Sequence, residues 1–328
     1  MKQFATGVAA MGLLAAGTLS VQAQDGPVEV TATVGMIGDV VRNIGGDCAR
    51  VTTIMGPGID PHLYQPTPSD ARAFRDAEVI FYSGYSLEGQ LGDVLSRLGE
   101  RKPTVALAPT AIDPDALITV QGAAGIDPHV WMDAGLWAGI VPAVADMLGE
   151  VRPSCGDRFR ANARDYTVEL EALDAWVSDA IATIPEGQRA LVTAHDAFAY
   201  FGRAYDIDVS GIQGISTEAE ASVADIRATA ERVADAGVPA IFVESTINPR
   251  TIQSVVDAAR QRGHEIAVGE ELYSDAMGEE GTAGGTYIGM IHENTAHIVE
   301  ALGGELPPLP DALSDWAGTW NIAVDTPR

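Results

Sequence analysis

Apolar residues follow two patterns that alternate along most of the chain. Short runs rich in Val, Ile and Thr alternate with longer segments in which apolar positions recur every three or four residues, an arrangement typical of parallel α/β layers. In the first half it predicts strands at residues 28–34, 50–55, 79–82 and 104–108, and helices at residues 37–44, 68–76, 87–98 and 134–148. In the second half it predicts strands at residues 190–193, 209–212, 240–243 and 265–268, and helices at residues 197–205, 222–236, 249–262 and 287–302.

A continuous helical pattern over residues 155–184 separates the two halves and stops at Pro185-Glu186-Gly187. Its apolar positions are Phe159, Tyr166, Leu170, Leu173 and Val177. A coiled coil is the competing interpretation, but this spacing is too irregular to sustain heptads. We therefore predict an α/β fold with two lobes, residues 24–154 and 186–328, whose parallel-sheet cores are joined by one long helix at residues 155–185.

The N-terminus has the features of an export signal. Lys2 gives a positive start, residues 4–19 are an almost unbroken run of apolar and small residues, and Val21-Gln22-Ala23 is a small-x-small cleavage site. A membrane anchor is the alternative, but a span needs about 20 apolar residues. No lipobox cysteine follows, so residues 1–23 predict a cleaved signal peptide and a soluble periplasmic protein.

The charge of the chain excludes one class of partner. The 46 acidic residues outnumber the 20 basic ones, and the formal charge is −26. Nucleic-acid binding calls for a basic face, which this composition does not favour. The acidic balance is instead typical of a soluble protein that attracts cations.

Two cysteines, Cys48 and Cys155, are present, without the paired spacing of a metal-binding motif. In an oxidising compartment such a pair can form a disulfide. Cys48 follows the first predicted helix and Cys155 begins the long one. We therefore expect the bond at the edge of the first sheet that lies opposite the carboxyl ends of its strands. Two buried free thiols are the alternative.

Four residues with metal-binding side chains follow predicted strands. His62 and His129 each close an Asp-Pro-His triplet, in which proline stiffens the loop. His195 lies where a strand gives way to a helix, and Asp275 lies in a polar loop after the last strand. Ligands of open α/β sheets collect at the carboxyl ends of strands, and three imidazoles with one carboxylate suit a divalent transition metal. The alternative is a set of unrelated hydrogen-bonded loop histidines, which the repeated triplet makes less attractive.

The remaining histidines do not fit a metal motif. His264 is expected in an exposed turn, whereas His292 and His297 are five residues apart. A zinc protease needs two histidines four residues apart on one helical face, and a separation of five turns the second ring away by roughly 140°. The glycine-rich residues 278–289 lack the spacing of a phosphate or dinucleotide loop and are expected to form a flexible loop that serves Asp275.

Six motifs that occur in a fixed order along the chain are together specific to one protein family. They are Gly56-Pro57-Gly58-Ile59-Asp60-Pro61-His62, Pro66-Thr67-Pro68-Ser69-Asp70, Asp127-Pro128-His129-Val130-Trp131-Met132-Asp133, Ala194-His195-Asp196-Ala197-Phe198-Ala199-Tyr200-Phe201, Ser274-Asp275-Ala276-Met277-Gly278 and Gly285-Thr286-Tyr287. Essentially the whole mature chain resembles the ZnuA/TroA-type metal-binding proteins of bacterial ABC importers. The resemblance implies a long helix that stiffens the hinge, a metal site in the cleft between the lobes, and delivery of the metal by a monomer to a membrane permease. The family's ligands fall on His62, His129, His195 and Asp275.

The resemblance also bears on the metal. Manganese-type members carry Glu at the third ligand position, where this chain has His195, and many zinc members carry a His-rich loop that residues 111–126 lack. The chain is therefore most similar to the TroA-like subgroup, which implies one transported divalent ion, either zinc or manganese. Imidazole-rich shells favour zinc, so zinc is the expected ion and manganese the alternative.

Two other functions compete with transport. Three histidines and a water can form a hydrolytic zinc site, with Asp196 or Glu218 as the general base, but Asp275 as a fourth ligand would occupy the position of the water. An adhesin is a third hypothesis, although the chain shows no anchoring signal and no repeats. We therefore predict a transport receptor that is not an enzyme.

Overall fold

The computed structural model describes residues 26–120 and 125–324, and the predicted signal peptide at residues 1–23 lies outside them. The strands in the described part are β1 (Val28–Val34), β2 (Ala49–Met55), β3 (Val79–Tyr82), β4 (Thr104–Ala106), β5 (Ala190–His195), β6 (Asp208–Gln213), β7 (Ala240–Ile241) and β8 (Ala267–Val268). Its helices are α1 (Gly35–Gly45), α2 (Pro68–Asp76), α3 (Gly92–Gly99), α4 (Leu107–Ala111), α5 (Ala134–Ala138), α6 (Val141–Val151), α7 (Gly156–Ala182), α8 (Ala199–Tyr205), α9 (Val223–Ala236), α10 (Arg250–Gln261), α11 (Tyr287–Ala301) and α12 (Ser314–Trp320).

The first lobe contains a parallel sheet in the order β2-β1-β3-β4. Strand β1 lies inside the sheet and is buried over nearly its whole length, as its apolar sequence predicts. Helix α1 follows β1 without a loop and buries Ile37, Val40 and Ile44. All four strands therefore point their carboxyl ends towards the same edge of the sheet.

The second lobe contains two parallel strand pairs, β5–β6 and β7–β8. The backbone N–H of Phe242 donates to the carbonyl of Val192 at 2.9 Å and so joins β7 to β5. Beneath them lies a separate apolar cluster that includes Val192, Ile212, Ile241 and Val255. The carboxyl ends of these strands also share one edge.

Helix α7 joins the lobes, as predicted for residues 155–184. Its 27 residues span about 40 Å at about 1.5 Å per residue. It packs against α1, α5 and α6 of the first half and against α8 and α11 of the second. One apolar cluster runs from the first sheet through α7 to Tyr200 and Ile291, so the two halves share packed core on either side of this helix. The predicted α/β class with parallel sheets and a long helix is confirmed.

Several local predictions were wrong. Residues 134–148 form two helices because Pro142, in the first turn of α6, has no N–H to continue the helix from α5. The helix predicted from residue 87 begins only at Gly92, after a 3-10 turn at Gly89–Leu91 in which Gly89 has a φ of 42°. The short helices α4 and α12 were not predicted.

Cys48 and Cys155 form the predicted disulfide, with their Cα atoms 6.4 Å apart. Cys48 lies just before β2 and Cys155 just before α7. The bond therefore fixes the start of the long helix to the edge of the first sheet opposite the carboxyl ends of its strands.

Candidate metal centre

The two Asp-Pro-His triplets form the same turn in the first lobe. The backbone N–H of His62 donates to Oδ1 of Asp60 at 2.8 Å, and that of His129 donates to Oδ1 of Asp127 at 3.0 Å. The ring Nδ1–H of His129 also donates to Oδ1 of Asp127, at 2.7 Å. This second bond fixes the orientation of the ring and leaves Nε2 to face the cleft.

A buried glutamate has the same role in the second lobe. His195 is the last residue of β5, and Glu244 follows the neighbouring strand β7. The backbone N–H of His195 donates to Oε1 of Glu244 at 2.7 Å, and the ring Nδ1–H donates to Oε2 at 2.5 Å. Glu244 is only 2% exposed, so one carboxylate fixes both the backbone and the ring of His195.

The four side chains proposed from the sequence converge between the lobes. Nε2 of His129 and Nε2 of His195 lie 3.2 Å from Oδ1 and Oδ2 of Asp275, respectively. Nε2 of His62 lies 3.6 Å from Oδ2 of Asp275 and 3.4 Å from Nε2 of His129. One ligand atom from each residue lies within 4.8 Å of the other three.

These separations suit an ion at the centre of the cluster. Bonds of about 2.0–2.1 Å to a tetrahedral zinc ion would leave neighbouring ligand atoms about 3.3 Å apart. Both carboxylate oxygens of Asp275 and Nε2 of His195 are buried and form no hydrogen bond of good geometry with residues 26–120 or 125–324. Buried polar atoms usually have partners, and a metal ion at the centre of the cluster could supply one to these three atoms.

The charges of the cluster determine its protonation in the absence of metal. Burial disfavours the charged carboxylate of Asp275, but His195 and His129 outweigh this and hold its pKa well below the usual range. Burial also disfavours protonated His129, yet Asp275 and Asp127 raise its pKa to about 9. For His195, burial is likewise outweighed by Glu244 and Asp275, and its pKa lies well above the usual value.

His62 differs from the other two histidines. Burial lowers its pKa to about 4 because the nearby Asp275 offsets only part of the desolvation. A neutral His62 is ready to bind a cation, whereas His129 and His195 must release their protons first.

The other histidines lie outside this cluster. His264 contacts the carbonyl of Val238 at 2.9 Å, and His297 contacts the carbonyl of Glu271 at 3.0 Å. His292 stacks on Trp176, with ring centroids 5.0 Å apart. Each therefore has a local structural contact.

Sequence reasoning missed some supporting residues and misplaced one loop. Glu244 was not singled out, although it directly follows the predicted strand at residues 240–243. His129 does not follow a strand directly, contrary to the prediction. The last strand before it, β4, ends at Ala106, and a bridge between Thr119 and Ile126 precedes the triplet. The position of His129 is therefore set by the turn that Asp127 forms and not by the end of a strand.

Comparison with known proteins gives consistent matches over nearly the whole chain. The family model described as ZnuA, the periplasmic component A of a zinc-uptake complex, matches residues 30–301. The manganese-binding lipoprotein MntA of Bacillus subtilis (strain 168) is 42% identical over 295 residues, which cover 90% of this chain and 96% of that protein. The zinc-binding protein TroA of Treponema pallidum (strain Nichols) is 42% identical over 280 residues, or 85% of this chain and 90% of TroA.

The fold has a solved counterpart as well. The structure of the periplasmic zinc binding protein TroA from Treponema pallidum matches with a TM-score of 0.82 and 41% sequence identity. The match covers 84% of this chain and 99% of that chain. The two-lobed α/β architecture is therefore shared with a solved metal-binding protein.

Proposed function

Because the chain belongs to the ZnuA family of periplasmic metal-uptake components, we propose that it captures one divalent transition-metal ion and delivers it to an ABC importer. The metal is the cargo of the protein rather than a resident cofactor. Relatives named for zinc and for manganese binding, each 42% identical to the chain, support this function.

The proposed ligands are Nε2 of His62, His129 and His195 together with the carboxylate of Asp275. The observation that carries this assignment is the convergence of four buried ligand atoms within 4.8 Å. His62 and His129 come from the proposed first lobe, residues 24–154, and the other two from the proposed second lobe, residues 186–328. Metal binding would therefore join the lobes across the cleft, with residues 155–185 as the connection.

Zinc is the favoured ion and manganese the alternative. The two relatives have equal identity to the chain, so overall similarity does not decide between the metals. The proposed donor set supports zinc, because three imidazoles and one carboxylate favour zinc, whereas manganese prefers more oxygen ligands. Zinc also exceeds manganese in intrinsic affinity at most sites.

A transport role fits the site better than hydrolysis. A hydrolytic zinc needs an open position for water, and in the proposed shell Asp275 would take the fourth position. The candidate base Glu218 is exposed in the loop before α9 and lines the cavity beside His62, outside the cluster of four buried ligand atoms. The Cys48–Cys155 disulfide supports an oxidising compartment, and we propose a monomer in the periplasm that docks on a membrane permease.

Metal content and competition test this function. Protein purified without chelator should hold one ion per chain, and metal-free protein should bind zinc more tightly than manganese in a competition titration. His195→Ala should weaken both metals because it removes a ligand without a replacement. His264→Ala is the matched control, since the ring of His264 contacts the carbonyl of Val238 and lies outside the cluster of four proposed ligands. Equal affinity in His195→Ala and wild type would refute the assignment of the site.

A further inference from the structure

A buried side-chain hydrogen bond joins the two lobes at the first Asp-Pro-His turn, beside the proposed metal site. The hydroxyl of Thr217 donates to Oδ2 of Asp60 at 2.5 Å, although the two residues are 157 positions apart. Thr217 lies in the loop between β6 and α9 of the second lobe and is 6% exposed. Asp60 belongs to the first Asp-Pro-His turn.

Asp60 connects this hydroxyl to a proposed ligand. Its Oδ1 accepts the backbone N–H of His62 at 2.8 Å while its Oδ2 accepts the Thr217 hydroxyl. The carboxylates that support the other two histidines each bond to a ring Nδ1 within one lobe. By contrast, the carboxylate that bonds to His62 also accepts a hydrogen bond from a residue of the opposite lobe.

His62 also lies at the opening of the site. A cavity of about 440 Å³ is lined by His62, Gln90 and Pro128 from the first lobe and by Ile215, Ser216 and Glu218 from the second. Within the described residues, His62 is the only one of the four proposed ligands that lines this cavity. An ion that leaves through it must pass His62 and the loop that carries Thr217.

The first-lobe wall of the opening is firmly anchored. Buried Glu88 accepts hydrogen bonds from the hydroxyl of Thr33 at 2.9 Å and from the N–H of Ser83 at 2.6 Å. Gly89, with positive φ, packs so closely that a Cβ there would lie 2.5 Å from the carbonyl oxygen of His62. Widening of the opening therefore depends on the second-lobe loop, and on Thr217 in particular.

We propose that Thr217 is a positioning residue that holds the opening closed through Asp60 and so sets the rate at which the metal is released. The inference rests on the proposed function, because it takes His62 as a ligand. Thr217 itself does not touch the ion. Loss of its hydroxyl leaves all four proposed ligands in place and removes the bond to Asp60, while the buried bonds from Trp131 to Ser274 and from Tyr200 to Asp127 still join the lobes.

The test measures zinc release into excess chelator by stopped flow. Thr217→Val, which keeps the shape of the side chain but lacks the donor, should release zinc roughly tenfold faster, as expected for loss of one hydrogen bond to a charged group. Thr217→Ala should behave in the same way. Thr217→Ser, which keeps the hydroxyl, and Ser254→Ala, which removes an exposed hydroxyl on α10, should stay within about twofold of wild type.

A double-mutant cycle separates positioning from general stability. In an Asp60→Ala background, Thr217→Val should cause little further acceleration, since the acceptor is already absent. The melting temperature of the metal-free protein should be nearly the same in Thr217→Val and Thr217→Ser. A release rate of Thr217→Val equal to that of wild type, or a lower melting temperature without faster release, would overturn the inference. Failure of wild type to bind zinc would instead overturn the proposed function.

Discussion

Replacing Glu244 with glutamine removes the negative charge that orients His195 while keeping the size of the side chain. In the protein, Oε1 of Glu244 accepts the backbone N–H of His195 and Oε2 accepts its ring Nδ1–H. A glutamine amide can accept only one of these two bonds, and its NH₂ group would face a second donor. The ring of His195 would therefore lose its fixed orientation towards the metal.

The expected loss of zinc affinity is about 10- to 100-fold. A hydrogen bond to a charged group contributes about 1.5–3 kcal/mol, and a tenfold change in affinity corresponds to about 1.4 kcal/mol. The same range is typical for loss of a group that supports a metal ligand. Glu244 also raises the pKa of His195. In Glu244→Gln the pKa of His195 is lower, so protons compete less with zinc for this histidine than they do in wild type. This partly offsets the loss of zinc affinity at low pH, and the loss should therefore be larger at about pH 8 than at about pH 6.

The assay is competition for zinc against a chromophoric chelator. Glu218→Gln is the matched control, because it removes one negative charge at the exposed opening without contact to His195. This control should bind zinc within about twofold of wild type. If Glu244→Gln also binds zinc within about twofold of wild type, Glu244 does not position His195 and the reasoning is refuted.

Three further predictions follow from the same contacts. His195→Glu should narrow the zinc-to-manganese affinity ratio in a competitive titration, because a harder oxygen replaces an imidazole; an unchanged ratio would argue against His195 as a ligand. Removal of the disulfide by Cys48→Ser with Cys155→Ser should lower the free energy of unfolding by about 2–5 kcal/mol, measured by denaturant titration, without changing zinc affinity. In the metal-free protein the pKa of His129 is raised from 6.5 to about 9, so its stabilising contribution is complete below about pH 6.5 and lost as the pH rises through about 9. The melting temperature of the metal-free protein should therefore fall over this window, and a rise would contradict the proposed charge balance.

Strands and helices could be predicted from the sequence where the spacing of apolar residues is regular over a short segment. Predicted bounds for β1, α2 and β3 agree with the structure because apolar runs and a proline at the helix start mark them. The break between α5 and α6 was missed, although Pro142 was visible in the sequence. Strand β7 is only two residues long, since the chain leaves regular pairing just before Glu244.

The supporting contacts of the site were not predictable from local sequence. Asp60 and Asp127 were visible in their triplets, but their hydrogen bonds depend on how each turn folds. Glu244 is 49 positions from His195, and Thr217 is 157 from Asp60. Such contacts arise only when neighbouring strands or opposite lobes pack together.

The most direct test of the proposed metal site is diffraction from zinc-loaded crystals at the zinc absorption edge. We expect one anomalous peak per chain, about 2.0–2.1 Å from Nε2 of His62, His129 and His195, and about 2.0–2.2 Å from a carboxylate oxygen of Asp275. A peak elsewhere in the protein, or one in this cleft with a water in place of Asp275, would contradict the account.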